Sequence, residues 1–329
     1  MILAAGLSPA WQQIVTLDDL KVGEVNRASG VQWCASGKVL NVGMALHFLA
    51  GRRADVDGTN GSQQAANRRS RDEAPIVART LALVGGSTGE AIRQEFANHH
   101  VSARWIESKS PTRVCTTLLV ATTRATTELV ENAHPISDNE LTRFRKAYCE
   151  EASAANVVVL TGSFPVGTPP TLYCDLLAAT PGRVVLDAQG EPLLAALEGR
   201  PFVVKPNREE LGNTLRRSIA TDDELHTAMQ ELCRRGATWV VVTQGKERVW
   251  IASEREILSA ATPAVAVVNP IGCGDCLAAG IATGLAAGED LPEAVLTGMA
   301  AAANNVTLLL PARLNVDRVA EIRRNLQLL

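Results

Sequence analysis

The sequence predicts a three-layer α/β fold with a mostly parallel central sheet and a small β lid, and three observations carry that expectation. Short β-branched runs recur through the second half of the chain, at residues 157–160, 184–186, 202–204 and 240–242. Their apolar character is continuous rather than alternating, as expected for strands covered on both faces of a parallel sheet. Helix-like stretches at 169–179, 208–217 and 222–235 separate them, so right-handed crossovers would place helices on both sides of the sheet. In the first third, strand-like segments at 14–20, 22–33, 114–120 and 128–130 fit a lid formed from about 10–35 and 112–132. The whole of 1–329 is expected to form one domain around these parts. Residues 51–75 hold almost no large apolar side chain, too little to offset the entropy of ordering, and are expected to be a flexible insertion. Its five arginines are nearly balanced by four acids, which argues against nucleic-acid binding.

Each buried run ends in polar or glycine residues: Thr161-Gly162-Ser163, Asp187, Lys205-Pro206-Asn207 and Thr243-Gln244-Gly245. Ligands of such sheets bind beyond the carboxyl ends of the strands, so these clusters should line one rim. Asn269 to Asp275 should join them, following an apolar, strand-like run at 265–268.

Bulk composition narrows the function. The chain has 329 residues, 46% hydrophobic and only 4% aromatic, so Val, Leu, Ile and Ala build the core. A net charge of −3 gives no electrostatic footprint for nucleic acid or an anionic membrane. Seven scattered cysteines do not form a disulfide framework. No apolar run reaches the length of a membrane span, and the first residues lack the pattern of a signal peptide, so a cytoplasmic protein is expected.

The most chemically pointed segment is Asn269-Pro270-Ile271-Gly272-Cys273-Gly274-Asp275-Cys276. Flanking glycines let successive backbone N–H groups face one concavity, and a helix starting at the carboxylate adds its dipole. Asp275 would repel a bound phosphate, yet it suits a base that takes a proton from an attacking hydroxyl beside one. Cys273 and Cys276 have C-x-x-C spacing, but no second C-x-x-C or H-x-x-x-H pair completes a metal site.

With these pieces in place the chain resembles the ribokinase-like, PfkB-type carbohydrate kinases, and among them the 1-phosphofructokinase and tagatose-6-phosphate kinase branch. The resemblance runs from Leu7 to about Leu310 outside the insertion. Ser36-Gly37-Lys38-Val39-Leu40-Asn41-Val42 is similar to the first signature, Gly-Gly-Lys-Gly-x-Asn-Val. The segment from Leu17 to Arg27, Gly85-Gly86-Ser87-Thr88-Gly89, Thr112-Arg113 and Leu160 to Pro165 follow in order. Lys205 to Leu211 resembles the segment with the Asn-x-x-Glu motif, and the glycine run resembles the second signature.

This resemblance implies a ribokinase-like fold, ATP and Mg²⁺, and phosphoryl transfer to a ketohexose monophosphate. Asp275 would be the base, and Gly272, Cys273 and Gly274 the anion hole. Lys205, Asn207, Glu210, Thr243 and Gly245 would serve the nucleotide, Glu210 approaching Mg²⁺ through water, with Asn304 near the adenine. Lys38 and Arg113 would hold a phosphate already on the sugar. Gln12, Gly37, Asn41 and Ser163 would line the sugar pocket. A homodimer through the lid is also implied. Departures concentrate on the sugar side: Gln12 stands for a usual aspartate, Val39 for a glycine, and Cys115 and Val130 for asparagines. Pro270 also replaces a threonine, removing a hydroxyl and an N–H. Two other readings remain open at this stage: kinase action on an unphosphorylated sugar, polyol or nucleoside, and a catalytically weak kinase-fold ligand-binding protein. A dinucleotide-binding dehydrogenase is disfavoured, since no Gly-x-Gly-x-x-Gly follows the first strand.

Overall fold

The computed structural model describes residues 1–51 and 76–329, so the expected insertion lies outside the described residues except for Gly51. The chain opens with β1 (Ile2–Gly6), β2 (Ala10–Leu17), β3 (Gly30–Ser36) and α1 (Lys38–Gly51). Next come β4 (Ala78–Val84), α2 (Gly86–Asn98), β5 (Ala103–Glu107), β6 (Val114–Val120), β7 (Thr126–Val130) and α3 (Asp138–Ala152). The strand–helix alternation follows as β8 (Val157–Thr161), α4 (Leu172–Ala178), β9 (Arg183–Asp187), α5 (Gly190–Ala196), β10 (Val203–Val204), α6 (Arg208–Leu215) and α7 (Asp222–Arg234). The chain ends with β11 (Trp239–Thr243), β12 (Arg248–Ala252), β13 (Ile257–Ala261), α8 (Cys273–Ala286), α9 (Leu291–Asn305) and α10 (Val316–Arg324).

Among the described residues, nine strands form one sheet in the order β13-β12-β11-β10-β9-β8-β1-β4-β5. Its pairs are parallel from β5 to β11, and β12 and β13 add an antiparallel edge. Continuous apolar runs are required because both faces are covered. Ile2, Ala4, Val157 and Val159 belong to one buried cluster with side chains of α1, α8 and α9. Leu3, Ala5, Val158 and Leu160 belong to another with those of α3, α4 and α7. No helix among the described residues is long and apolar enough to cross a membrane.

A separate four-stranded sheet, ordered β3-β2-β6-β7, forms the lid. Cys34, Gln12, Cys115 and Val130 occupy one row across it and therefore share one face. Ile14, Cys34 and Leu119 on that face pack against Leu309 and Leu310 of the main body. On the opposite face, Trp11 stacks on Trp33 with ring centroids 6.2 Å apart.

Two local expectations need correction. Residues 265–268 form no strand: the Val268 and Asn269 N–H groups bond Val306 O, beyond α9, and Val267 and Val268 are exposed. The outer edge of β13 is met instead by Leu329, which exchanges backbone bonds with Ser259, while the run's own N–H groups are spent on Val306. In the lid, only the end of the 22–33 segment is strand. Val22 and Val25 project into solvent from a turn stabilised by Asn26, whose side chain bonds the Lys21 backbone.

Candidate active site

Three helices begin at one cleft, and their N-cap residues, Gly37, Asn207 and Gly272, all line it. Gly37 precedes α1 with φ +83°, and a side chain there would collide with Ala10 N and Ser8 O. This close approach brings the start of α1 beneath β2 of the lid. Asn207 and Glu210 form a reciprocal capping box: each backbone N–H is bonded by the other's side chain at 2.8 Å. Gly272, again at φ +83°, caps α8. Helix N-termini carry unpaired N–H groups and positive dipole ends, so the convergence favours an anion.

The helix at the glycine run starts at Cys273 rather than at the carboxylate, which places Asp275 in the first turn. Asp275 is only 7% exposed, and its Oδ2 accepts a bond from Asn41 Nδ2 at 2.7 Å. Asn41 is oriented by Ser36, whose hydroxyl donates to its Oδ1 at 3.1 Å. Burial pushes the Asp275 carboxyl up to about 6, aided by the Asp187 charge and opposed by Lys38, Asn41 and Lys205. A carboxylate titrating there is ionised at neutral pH yet basic enough to accept a proton.

Asp187, expected from the sequence on the ligand rim but with no role assigned, sits at the centre of the charges. It is 1% exposed and lies 3.0 Å from Lys38 Nζ and 3.5 Å from Lys205 Nζ. Burial alone would raise its pKa, but the two ammonium groups hold it below the ordinary carboxylate value. Burial likewise opposes charge on Lys38, and Asp187, Glu210 and Asp275 together overcome it. The signal was present as an acid ending the apolar run Val184-Val185-Leu186.

The structure gathers most of the expected site residues around one cleft of about 640 Å³. Gln12, Gly37, Lys38, Asn41, Arg113, Lys205, Asn207, Glu210, Thr243, Gly245, Gly272, Cys273, Gly274 and Asp275 all line it. Ser163 does not. Its carbonyl accepts the Ser8 hydroxyl at 2.6 Å, while Thr161 and Gly162, the latter at φ +106°, are the residues of this segment that bond Asp187. Asn304 is also elsewhere: it is buried and accepts the Asn315 N–H at 2.8 Å. Val39, which stands for a glycine of the resemblance, faces Gly6 in the core and does not line the cleft.

The sugar-side groups are more engaged than expected. Lys38 is paired with Asp187, and Arg113 donates to the carbonyls of Pro9, Glu131 and Ser8 at 3.3, 2.9 and 3.2 Å. Gln12 donates to Thr117 Oγ1 at 2.8 Å. Glu128, opposite Thr117 on the lid's inner face, also lines the cleft and escaped the sequence reading. Burial raises its pKa against the opposing charge of Arg113.

A second cleft of about 650 Å³ adjoins the first and shares Thr243, Gly245, Pro270, Cys273 and Gly274 with it. Its remaining wall is mostly apolar, including Val265, Val267, Met299, Ala302 and Val306, with Lys246 and Thr262 as its polar members. Val265 and Val267 of the 265–268 run are thus part of a cleft wall. Size and chemistry fit an aromatic base, with the glycine turn between base and polar cleft. For a divalent ion, the described residues hold no preformed cluster of three or more His, Cys, Asp or Glu side chains. Glu210 has one oxygen in the capping box and the other 3.8 Å from Lys38. That donor set fits Mg²⁺ held mainly by phosphate oxygens and water.

The pfkB family carbohydrate kinase profile matches residues 76–312 of this chain. The protein belongs to the pfkB family of carbohydrate kinases. As a member, it shares its fold with phosphofructokinase-2 from Escherichia coli, solved with substrates and products (24% identity, TM-score 0.84, 98% of each chain covered). A 1-phosphofructokinase candidate from Thermotoga maritima superposes with TM-score 0.84 at 18% identity, covering 100% of this chain and 98% of the other. Ribokinase from the same organism gives TM-score 0.74 at 17% identity, over 98% and 99% of the chains. This pfkB kinase therefore has the ribokinase-like architecture expected from its sequence.

Proposed function

We propose that this pfkB kinase transfers the γ-phosphoryl group of ATP to a hydroxyl of a ketohexose monophosphate of the fructose 1-phosphate or tagatose 6-phosphate type, giving a bisphosphate. The observation that carries this reading is Asp275, a buried carboxylate raised to about 6 in the polar cleft, next to the Cys273–Gly274 turn that this cleft shares with the apolar one. Asp275 takes the acceptor's proton as its oxygen bonds phosphorus, and the bond to the β-phosphate oxygen breaks to release ADP. The amides of Gly272, Cys273 and Gly274 face the charge on the transferred group. Lys205, Asn207, Thr243 and Gly245 position the nucleotide phosphates, while Glu210 would hold Mg²⁺ through water. The bound ion would neutralise phosphate charge. Gly37, Gln12 and Asn41 orient the acceptor, and Lys38 and Arg113 draw its phosphate into the cleft.

Asp275→Asn tests the assignment. Turnover should fall by about 10³-fold or more while Mg-ATP binding survives, by analogy with removal of other essential groups. Substantial residual activity would sink it.

One observation favours an unphosphorylated acceptor as a second reading. Glu128 puts a carboxylate into the half of the cleft where the phosphate would sit, and Arg113 is held by carbonyls. ADP release across phosphorylated and neutral sugars separates the readings. Glu128→Gln should raise the acceptor KM for a neutral sugar, but lower it for a phosphosugar.

A further inference from the structure

The Gly272 turn makes few bonds of its own. Its cap has no side-chain hydrogen bond, and Cys273 N–H reaches Pro270 O at a long 3.3 Å. Asn269 braces its entry, its Oδ1 accepting Ile271 N–H at 3.0 Å and its Nδ2 donating to Leu309 O at 2.8 Å, and the end of α9 braces the Gly272 flanks themselves. Asn305, 0% exposed, donates from Nδ2 to Ile271 O at 2.9 Å and contacts Cys273 Sγ at 3.3 Å. Its Oδ1 accepts the Ala312 N–H at 2.6 Å. One amide therefore ties both flanks of Gly272 to the following loop. That loop also packs directly on the turn, since a Cβ on Gly272 would lie 2.9 Å from Pro311 Cβ. Ala312 itself sits at φ +65°, a conformation that a residue with a Cβ keeps only when its surroundings impose it. Arg313 then anchors the loop to the lid, bonding Ala35 O at 3.1 Å and pairing with Glu95.

We infer that Asn305 is a positioning residue for phosphoryl transfer, which fixes the Gly272–Gly274 amides relative to Asp275 by clamping their turn to the loop at 311–313. The inference rests on the kinase reading above. Amides aimed at a developing anion act only if they are already in place, and misplacement by about 1 Å costs on the order of 10²-fold in rate. Removing Asn305 frees the turn and also leaves Ala312 N–H and Ile271 O without their side-chain partners.

The test combines steady-state kinetics on Mg-ATP and fructose 1-phosphate with melting curves and amide exchange of segment 270–275. Asn305→Ala should lower kcat by about 10- to 100-fold while changing the ATP KM by less than about twofold. Exchange across 270–275 should accelerate by about tenfold or more. Asn305→Asp keeps the acceptor for Ala312 but loses the donor to Ile271, so it should behave like the alanine variant. Adding Ala312→Gly to Asn305→Ala should restore kcat severalfold, because glycine holds φ +65° without strain. A folded Asn305→Ala protein with kcat within about twofold of wild type, or with unchanged exchange at 270–275, overturns the inference. An inactive wild type across the sugar panel overturns the proposed function instead, and exchange then decides the clamp by itself.

Discussion

Asp275 shows how one side chain can be costly to the fold and still fit the proposed reaction. Its carboxyl is pushed up to about 6 from a model-peptide value of 3.8, first by burial. If Asp275 is the base, kcat/KM should fall about tenfold per pH unit below pH 6, as the base is protonated. A flat profile from pH 5 to 8 contradicts the assignment. Stability should run the other way. The folded state favours the protonated form, so nothing is lost below about pH 4, while above pH 6 the ionised group destabilises by on the order of 2–3 kcal/mol. Asp275→Asn should therefore melt higher than wild type at pH 8, the gain vanishing at pH 4; thermal denaturation at both values checks it. Asp275 and its glycines were legible because turn, helix start and carboxylate lie within a few consecutive residues. Asp187 was legible only as a rim residue, because its role depends on Lys38 and Lys205, which arrive from opposite sides of the chain. Ser163 lies off the cleft because its carbonyl is bonded by Ser8 just beyond a positive-φ glycine, a contact between segments far apart in the chain.

Elements deliver these residues through their ends. The capping box of α6 was readable as Asn207 and Glu210 three apart, and it commits the Asn-x-x-Glu pair to fixing a helix start at the cleft. The placement of α8 depends on a contact that no local pattern reveals. Gly280 lies against α9 so closely that a Cβ would come within 2.5 Å of Gly298 Cα and 2.9 Å of Thr297 O. Alanine has the better helix propensity by about 1 kcal/mol, but the obstruction is backbone on a second helix and cannot swing aside. Gly280→Ala should therefore lower stability by about 1–3 kcal/mol in urea titrations and reduce kcat, since α8 carries Asp275. An unchanged midpoint would show that α9 yields. The failed strand at 265–268 belongs to this scale too: apolar valines specify burial against something, and here a cleft wall uses them instead of a sheet.

At the scale of the whole molecule, the lid covers the polar cleft with one face and presents the other outward. Trp11 and Ala35 at its base pack against the main core, whereas Val31, Trp33 and Leu129 on that outer face are 47%, 44% and 57% exposed. A four-stranded sheet with such a face suits pairing with a second copy. A homodimer through the lids is expected at micromolar concentration by light scattering. Trp33→Lys combined with Leu129→Lys should give a monomer, and a wild-type monomer would count against the pairing.

The sequence by itself determined the parallel α/β architecture, the family and the glycine turn with its carboxylate. Those depend on hydrophobic period and on residues adjacent in the chain. Only the tertiary structure decided which charges meet, because Lys38, Asp187, Lys205 and Asp275 are held together by the sheet and by three helix starts rather than by spacing. It alone placed Glu128 in the lid wall and brought Asn305 under the turn. Contacts between distant segments leave no periodic trace in either partner, so they become visible only when the chain is folded.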